Sequence, residues 1–278
     1  MNTLLIVTGA SRGIGRAISV AFSSPEWQSE ISSLRAILIA RSEEGLAQTK
    51  SLMLQEASKK QTPIGVSCYC IDLSNLEQLE EKTEQIFASM STHKNDYPRR
   101  IFINNAGNVG PLDLTASICS VEHLRQAMDL NVTSGLFLSS RFAHYFCSSN
   151  SSSDKEKDDS ANSSSSVVVN ISSLCAIQPF PTMGVYCATK AARDMYHAVM
   201  AQELSNVKIL NYAPGACDTD MQDELRNAET FDKQLRDYYV KAKESNELVK
   251  VEDTAKKLVQ LVMQSNFDSG SHIDYWDV

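Results

Sequence analysis

No hydrophobic run in this chain approaches the roughly 20 residues that cross a bilayer, which excludes a helical membrane protein. The apolar start, Met1–Gly9, is short, has no basic segment before it and runs directly into a glycine-rich turn. It reads as a buried first strand, not a signal peptide. An excess of basic charge is missing too: 26 Lys and Arg stand against 34 Asp and Glu, a net charge of −8 with a pI near 5.2. Nucleic acid and anionic lipid both select a basic face, so neither is expected as a partner. The seven cysteines are odd in number and scattered, and Cys68 and Cys70 form CxC, not CxxC. That spacing fits neither a zinc site nor a secreted disulfide framework. His93, His123, His144, His197 and His272 show no ligand spacing, so no metal is expected. Asn131, Asn150, Asn162 and Asn170 each open a glycosylation triplet, but without a secretory signal they read as chance. A cytoplasmic location with reduced thiols is the expectation.

What is present suits one globular domain. The chain has 278 residues, 42% apolar and 22% charged, enough to bury a sizeable core. Short apolar runs at Leu4–Thr8, Ala36–Ala40, Val66–Ile71, Arg100–Asn104, Val167–Ile171, Val207–Asn211 and His272–Tyr275 alternate with helical stretches. The first two of those stretches are Arg16–Ser23 and Ser42–Lys60. That alternation predicts a doubly wound parallel α/β sheet of Rossmann type, in a single domain spanning 1–278. Ser148–Ser166, almost all Ser, Asn, Asp and Lys, cannot bury enough surface to offset its ordering entropy. It reads as a flexible insertion before the fifth strand.

The turn after the first strand reads Thr8-Gly9-Ala10-Ser11-Arg12-Gly13-Ile14-Gly15. Glycines there let a pyrophosphate approach the backbone, and a following helix offers free N–H groups. Gly9, Ser11, Arg12, Gly13, Ile14 and Gly15 are therefore candidate dinucleotide contacts. The second strand ends in Arg41-Ser42, where an NAD site would place an acid for the ribose 2′-hydroxyl. With Arg12 near and no acid at hand, Arg41 suits a 2′-phosphate, and the cofactor is expected to be NADPH. Asp72 and Leu73 after the third strand, and Asn105, Ala106 and Gly107 after the fourth, complete the same edge. Asp72 is placed to face the adenine amino group.

Ser173, Tyr186 and Lys190 are spaced S-x12-Y-x3-K. Tyr186 and Lys190 share a helical face one turn apart. Carbonyl reduction needs a proton donor as hydride arrives. The lysine ammonium is expected to lower the phenol pKa from its ordinary value, and Ser173 to hold the carbonyl oxygen.

Together these motifs resemble the short-chain dehydrogenase/reductase family over essentially the whole chain. Asn170–Phe180, Tyr186–Met195, Asn211–Gly215, Asp218–Gln222 and Ser269–Tyr275 are similar to its pterin-ketone reductases. The resemblance implies reduction of the side-chain ketones of 6-pyruvoyl-tetrahydropterin or sepiapterin in tetrahydrobiopterin synthesis. It implies that Asn131 completes a proton relay and that Lys190 also holds the nicotinamide ribose. It places Pro214, Gly215, Asp218, Thr219 and Met221 along the cofactor. Asp274 would anchor the pterin amino-pyrimidinone edge, with Asp268 and Asp277 as alternatives. Ser173, Leu174, Tyr186 and Gly215 would line that pocket. A homodimer is implied as well, through the helices of Asn131 and Tyr186. Two other readings stay open: a broad carbonyl reductase of the same family, and a catalytically idle NADP-binding sensor.

Overall fold

Strand β1 (Asn2–Thr8) is buried on both faces, Leu5 and Val7 in one apolar cluster and Leu4 and Ile6 in another. A strand covered on both sides belongs in a parallel sheet between helical layers. The computed structural model describes residues 1–27, 29–59, 61–118, 120–147 and 165–278. Around β1 lie β2 (Ser33–Ala40), β3 (Ile64–Cys70), β4 (Arg99–Asn104), β5 (Ser165–Ile171), β6 (Val207–Ala213) and β7 (His272–Asp274). They pair in the order β3-β2-β1-β4-β5-β6-β7, parallel throughout. This is the expected doubly wound Rossmann-type domain. The order reverses between β1 and β4, where the carboxyl ends of such sheets open a crevice for ligands.

The helices are α1 (Gly13–Phe22), α2 (Glu43–Ser58), α3 (Leu76–Ser91), α4 (Val121–Met128), α5 (Ser134–Cys147), α6 (Gly184–Glu203), α7 (Asp220–Asn227), α8 (Lys233–Glu244) and α9 (Val251–Gln264). Ile18 and Phe22 of α1, Met53 of α2 and Leu258 and Val262 of α9 cover the Leu5–Val7 face. Phe87 of α3, Phe142 and Phe146 of α5 and Met200 of α6 cover the Leu4–Ile6 face. Val109, Cys175, Met183, Tyr186, Leu225 and Phe231 form a smaller third cluster, where α6 meets the segment of α7.

Most expected boundaries move by one to three residues, and three of these shifts have a visible cause. Helix α1 starts at Gly13, three residues before Arg16, so the glycine turn supplies the helix's own first turn. The last strand stops at Asp274, where Asp274 and Asp277 form a reciprocal capping box at the start of a short 3-10 turn, Tyr275–Asp277. Ser165 and Ser166, expected in the flexible insertion, open β5 opposite Arg99 and Arg100, and Ser166 is buried. A backbone ladder accepts small polar residues once neighbouring strands fix them. The rest of that insertion, residues 148–164, lies outside the described residues.

Candidate active site

A cleft of about 600 Å³ opens at the carboxyl ends of β1, β2 and β4. Gly9, Ser11, Arg12, Gly13, Ile14, Arg41, Ser42, Leu73, Asn105, Ala106, Gly107, Thr219 and Met221 line it. The sequence pointed to these, but not to Arg16, Ala40, Glu44, Gly45, Gln48, Ile71, Leu130 and Asp220, which line the cleft as well; the expected contacts Gly15, Asp72, Tyr186, Lys190, Pro214 and Gly215 are not among the lining residues. Helix α1 begins there with no capping side chain and no acid in its first turn, leaving its leading N–H groups for an anion. Gly15 packs so closely that a Cβ there would lie 2.3 Å from the Gly9 carbonyl oxygen. Helix and strand can approach this closely only without a side chain. The donor set and the glycine cradle fit a dinucleotide pyrophosphate.

The rim differs from expectation in five particulars. Arg12 is ion-paired across the cleft with Asp220 of α7, so its guanidinium is already engaged. Glu44 lines the same cleft as Arg41, so the rim is not free of acid. Ser42 caps α2, its Oγ accepting from the Gly45 N–H at 3.0 Å. Asp218 is held by Lys243 at 2.5 Å and is not among the lining residues. Asp72 is exposed and accepts from the Ser74 N–H and hydroxyl at 3.0 and 2.7 Å. Partial burial works against ionisation, but Ser74 and the charges of Arg41 and Lys82 hold its carboxyl below the ordinary range.

Asn105 works mainly as a brace. Its amide donates to the Thr8 and Gly9 carbonyls at 2.9 and 3.2 Å, and Thr8 Oγ1 accepts from the Asn105 and Ala106 N–H groups. The glycine turn and the β4 loop are thereby locked together. Thr8 was not singled out from the sequence; a hydroxyl ending an otherwise apolar strand was its signal.

Ser173, Tyr186 and Lys190 converge at the carboxyl end of β5. Ser173 starts a 3-10 turn, its Oγ accepting from the Cys175 N–H at 3.2 Å. Lys190 Nζ donates to the Ile171 carbonyl at 2.7 Å, pinning α6 to β5, and sits 5.5 Å from the Tyr186 ring centroid. Tyr186 Oη lies 4.0 Å from Met221 Sδ, under α7.

The electrostatics correct one expectation. Burial raises the Tyr186 phenol well above its ordinary pKa and Cys175 adds to the rise. Arg193, not Lys190, supplies the opposing charge, together with a hydrogen bond to Ser173. Burial and the Arg193 charge in turn lower Lys190 to about 7. Desolvation outweighs the pair's mutual effect, because both groups are buried with the third apolar cluster beside them.

Asn131 is buried in a π-helical turn, Asp129–Thr133, between α4 and α5. Such turns inside helices are frequent at functional sites. Its side chain accepts from the Asn108 N–H at 2.8 Å and donates to the Asn108 carbonyl at 2.9 Å. The carboxamide is thus occupied, and the backbone carbonyl faces Arg193 Nη1 at 3.5 Å. Arg193, fully buried on the face of α6 that carries Tyr186 and Lys190, was also missed. Its signal was an arginine three residues beyond Lys190.

Asp274 pairs with Ala213 in the β6–β7 register, immediately before Pro214 and Gly215. A Cβ at Gly215 would lie 3.5 Å from that of Tyr275. The C-terminal strand therefore reaches the same end of the sheet as Ser173. Asp274 Oδ1 accepts from the Trp276 N–H at 3.1 Å, which engages one of its two oxygens. Leu174 is exposed beside Ser173.

Among the described residues no group of His, Cys, Asp and Glu could hold a metal ion, and no helix is long and apolar enough to cross a membrane.

This fold and site define a class. The sequence profile described as short chain dehydrogenase matches residues 3–230, and the chain belongs to the short-chain dehydrogenase/reductase family. Within it, the chain is 34% identical to the sepiapterin reductase of Rattus norvegicus, over 98% of this chain and 96% of that one. It is 29% identical to a benzil reductase of Bacillus subtilis, over 93% of each. A solved short-chain dehydrogenase/reductase from Saccharomyces cerevisiae shares the fold with a TM-score of 0.73, at 23% identity, over 99% of this chain and 96% of that one.

Proposed function

We propose that this chain is an NADPH-dependent reductase of pterin side-chain ketones, acting as a cytoplasmic homodimer in tetrahydrobiopterin synthesis. The observation that carries the reading is the joint placement of Ser173, Tyr186 and Lys190 at one strand end with Asp274 at the same end two strands away. Similarity to sepiapterin reductases along nearly the whole chain supports the pterin. The uncapped α1 N-terminus and Arg41 at the rim support a phosphorylated dinucleotide.

NADPH, held by the glycine turn and the other residues of the cleft, would supply the hydride that reduces the ketone carbon. Ser173 Oγ donates a hydrogen bond to the ketone oxygen and fixes it beside Tyr186. The phenol, kept protonated by burial, gives its proton to that oxygen as negative charge develops there, and an alcohol results. Lys190, whose ammonium is made easier to deprotonate by burial and by the Arg193 charge, restores the phenol proton, with the Asn131 carbonyl leading outward. Asp274 accepts the paired N–H donors of the pterin edge.

The second reading, a broad diketone reductase, is favoured by one observation: an Asp274 oxygen already caps the C-terminal turn. Asp274→Ala in an NADPH-coupled assay separates the two. Pterin recognition predicts a loss in kcat/KM for sepiapterin of about 100-fold, with little change for a small diketone, since charge-assisted hydrogen bonds contribute roughly 1.5–3 kcal/mol each. Equal losses on both substrates would remove the anchoring role. Turnover of the diketone alone by the native protein would favour the broad reductase.

A further inference from the structure

Among the described residues, Arg193 is the largest side chain with no exposure to solvent. Among the described residues its guanidinium makes no ion pair. Its partners are neutral: Nε donates to Asn170 Oδ1 at 2.7 Å, Nη1 to the Ala106 carbonyl at 3.0 Å and the Asn131 carbonyl at 3.5 Å, and Nη2 to the Asn104 carbonyl at 2.5 Å. The nearby carboxylate of Asp194 is taken by Asn170 and His272. A cation buried without a counter-ion is costly, and an apolar side chain of like volume would fill the space at less cost.

The identity of its partners explains why a guanidinium stands here. Ala106 lines the cofactor cleft. Asn104 ends β4, Asn131 is the π-turn residue, and Asn170 precedes the residue whose carbonyl holds Lys190. One planar fork reaches three strand or turn ends that no single ammonium could join.

We propose that Arg193 is a positioning residue for the reduction. It locks the cofactor wall at Ala106, the Asn131 carbonyl and the end of β5 onto the helix that carries Tyr186 and Lys190. It thereby sets the gap between hydride source and proton donor. The proposal rests on reading the chain as a nicotinamide-dependent carbonyl reductase.

The charge has a second consequence. The titratable groups facing Arg193 are Tyr186, Lys190, Asp194 and His197, all on α6, with Cys175 beyond Lys190. From β4, β5 and the π-turn it meets only carbonyls and one amide in its hydrogen bonds. The cation opposes protonation of Lys190, so its removal should move the basic limb of the pH–rate profile upward.

Arg193→Met, Arg193→Lys and Tyr186→Phe test this together, on a small diketone with NADPH. Misplacement of reacting groups by about 1 Å costs on the order of 100-fold in rate. Arg193→Met should therefore lose about that in kcat, with KM and NADPH affinity within threefold and the basic limb shifted upward. Arg193→Lys keeps the charge without the fork, so the limb should stay in place while kcat remains low. If Arg193→Met does not fold, the kcat of Arg193→Lys decides. Native kcat and pH profile in a folded Arg193 variant, beside an inactive Tyr186→Phe, would reduce Arg193 to a space-filling role. Native turnover in Tyr186→Phe would instead overturn the reductase reading itself.

Discussion

Tyr186 and Lys190 carry ordinary side chains whose properties here come from being dry. The sequence spacing places them one helical turn apart, and from that alone the ammonium should pull the phenol down. Desolvation reverses the order of effects: the phenol rises and the ammonium falls to about 7. The same burial acts on His197, one turn beyond Arg193. Its Nδ1 meets the Arg193 carbonyl at 2.7 Å and its Nε2 the Ser139 hydroxyl at 2.9 Å. Burial lowers it to about 4 despite the backbone hydrogen bond. The unfolded imidazole binds a proton near pH 6.5 and the native one does not. Stability from this group is therefore complete above about pH 6.5 and is lost as pH falls toward 4, by at most roughly 3 kcal/mol. His197→Gln should flatten the fall in unfolding free energy between those values, measured by denaturant titration against the native protein. An unchanged slope would mean that the histidine titrates alike in both states. Residue types were legible from the sequence because chemistry restricts them: few side chains serve as a ketone proton donor. Their surroundings were not. Nothing local announces that Arg193 meets Asn104, Ala106, Asn131 and Asn170, since those partners come from strands and turns far apart in the chain.

At the scale of elements, the glycine turn joins sequence pattern to geometry most directly. Gly9 adopts a φ of +66°, which an L side chain rarely accepts, and Gly15 abuts the Gly9 carbonyl. Gly15→Ala places a methyl 2.3 Å from that oxygen and 2.5 Å from Asn105 Nδ2. Overpacking of this kind costs about 1–3 kcal/mol. The strain falls on the strand–helix junction that presents the N–H groups of α1. The expected outcome is a folded protein with a lowered Tm and at least tenfold weaker NADPH binding by fluorescence titration. Retained affinity at lowered stability would place the dinucleotide away from α1. The alternation of strand and helix was legible because buried parallel strands need continuous apolar runs. Boundaries slipped where glycine or serine stands inside an element, as at Gly13 and Ser165. A propensity reading takes these as breakers, whereas neighbouring elements fix them in place. The π-turn at Asn131 had no local signal either, because one extra residue in a helix leaves the apolar spacing nearly intact.

At the scale of the whole molecule, α6 and α4 carry apolar side chains that no other element covers among the described residues. On α6, Met195 and Val199 are 68% and 48% exposed, one turn apart, opposite the side that buries Lys190 and Arg193. On α4, Val121, Leu124 and Met128 are 80%, 37% and 41% exposed along one stripe. Single apolar residues on a surface are ordinary, but stripes on neighbouring helices suit a partner surface. The proposed homodimer would cover them by two-fold pairing of these helices, with each patch meeting its own copy. Such pairing would also brace the outer side of α6, so the positions of Tyr186, Lys190 and Arg193 would depend on it. Met195→Asp with Val199→Asp should then convert a species of twice 30.7 kDa to monomer in sedimentation velocity. Turnover should fall with it, because a helix that has lost its outer support holds its inner face less firmly. A monomeric native protein would refute the pairing. A dimer that survives both aspartates would move the interface away from α6.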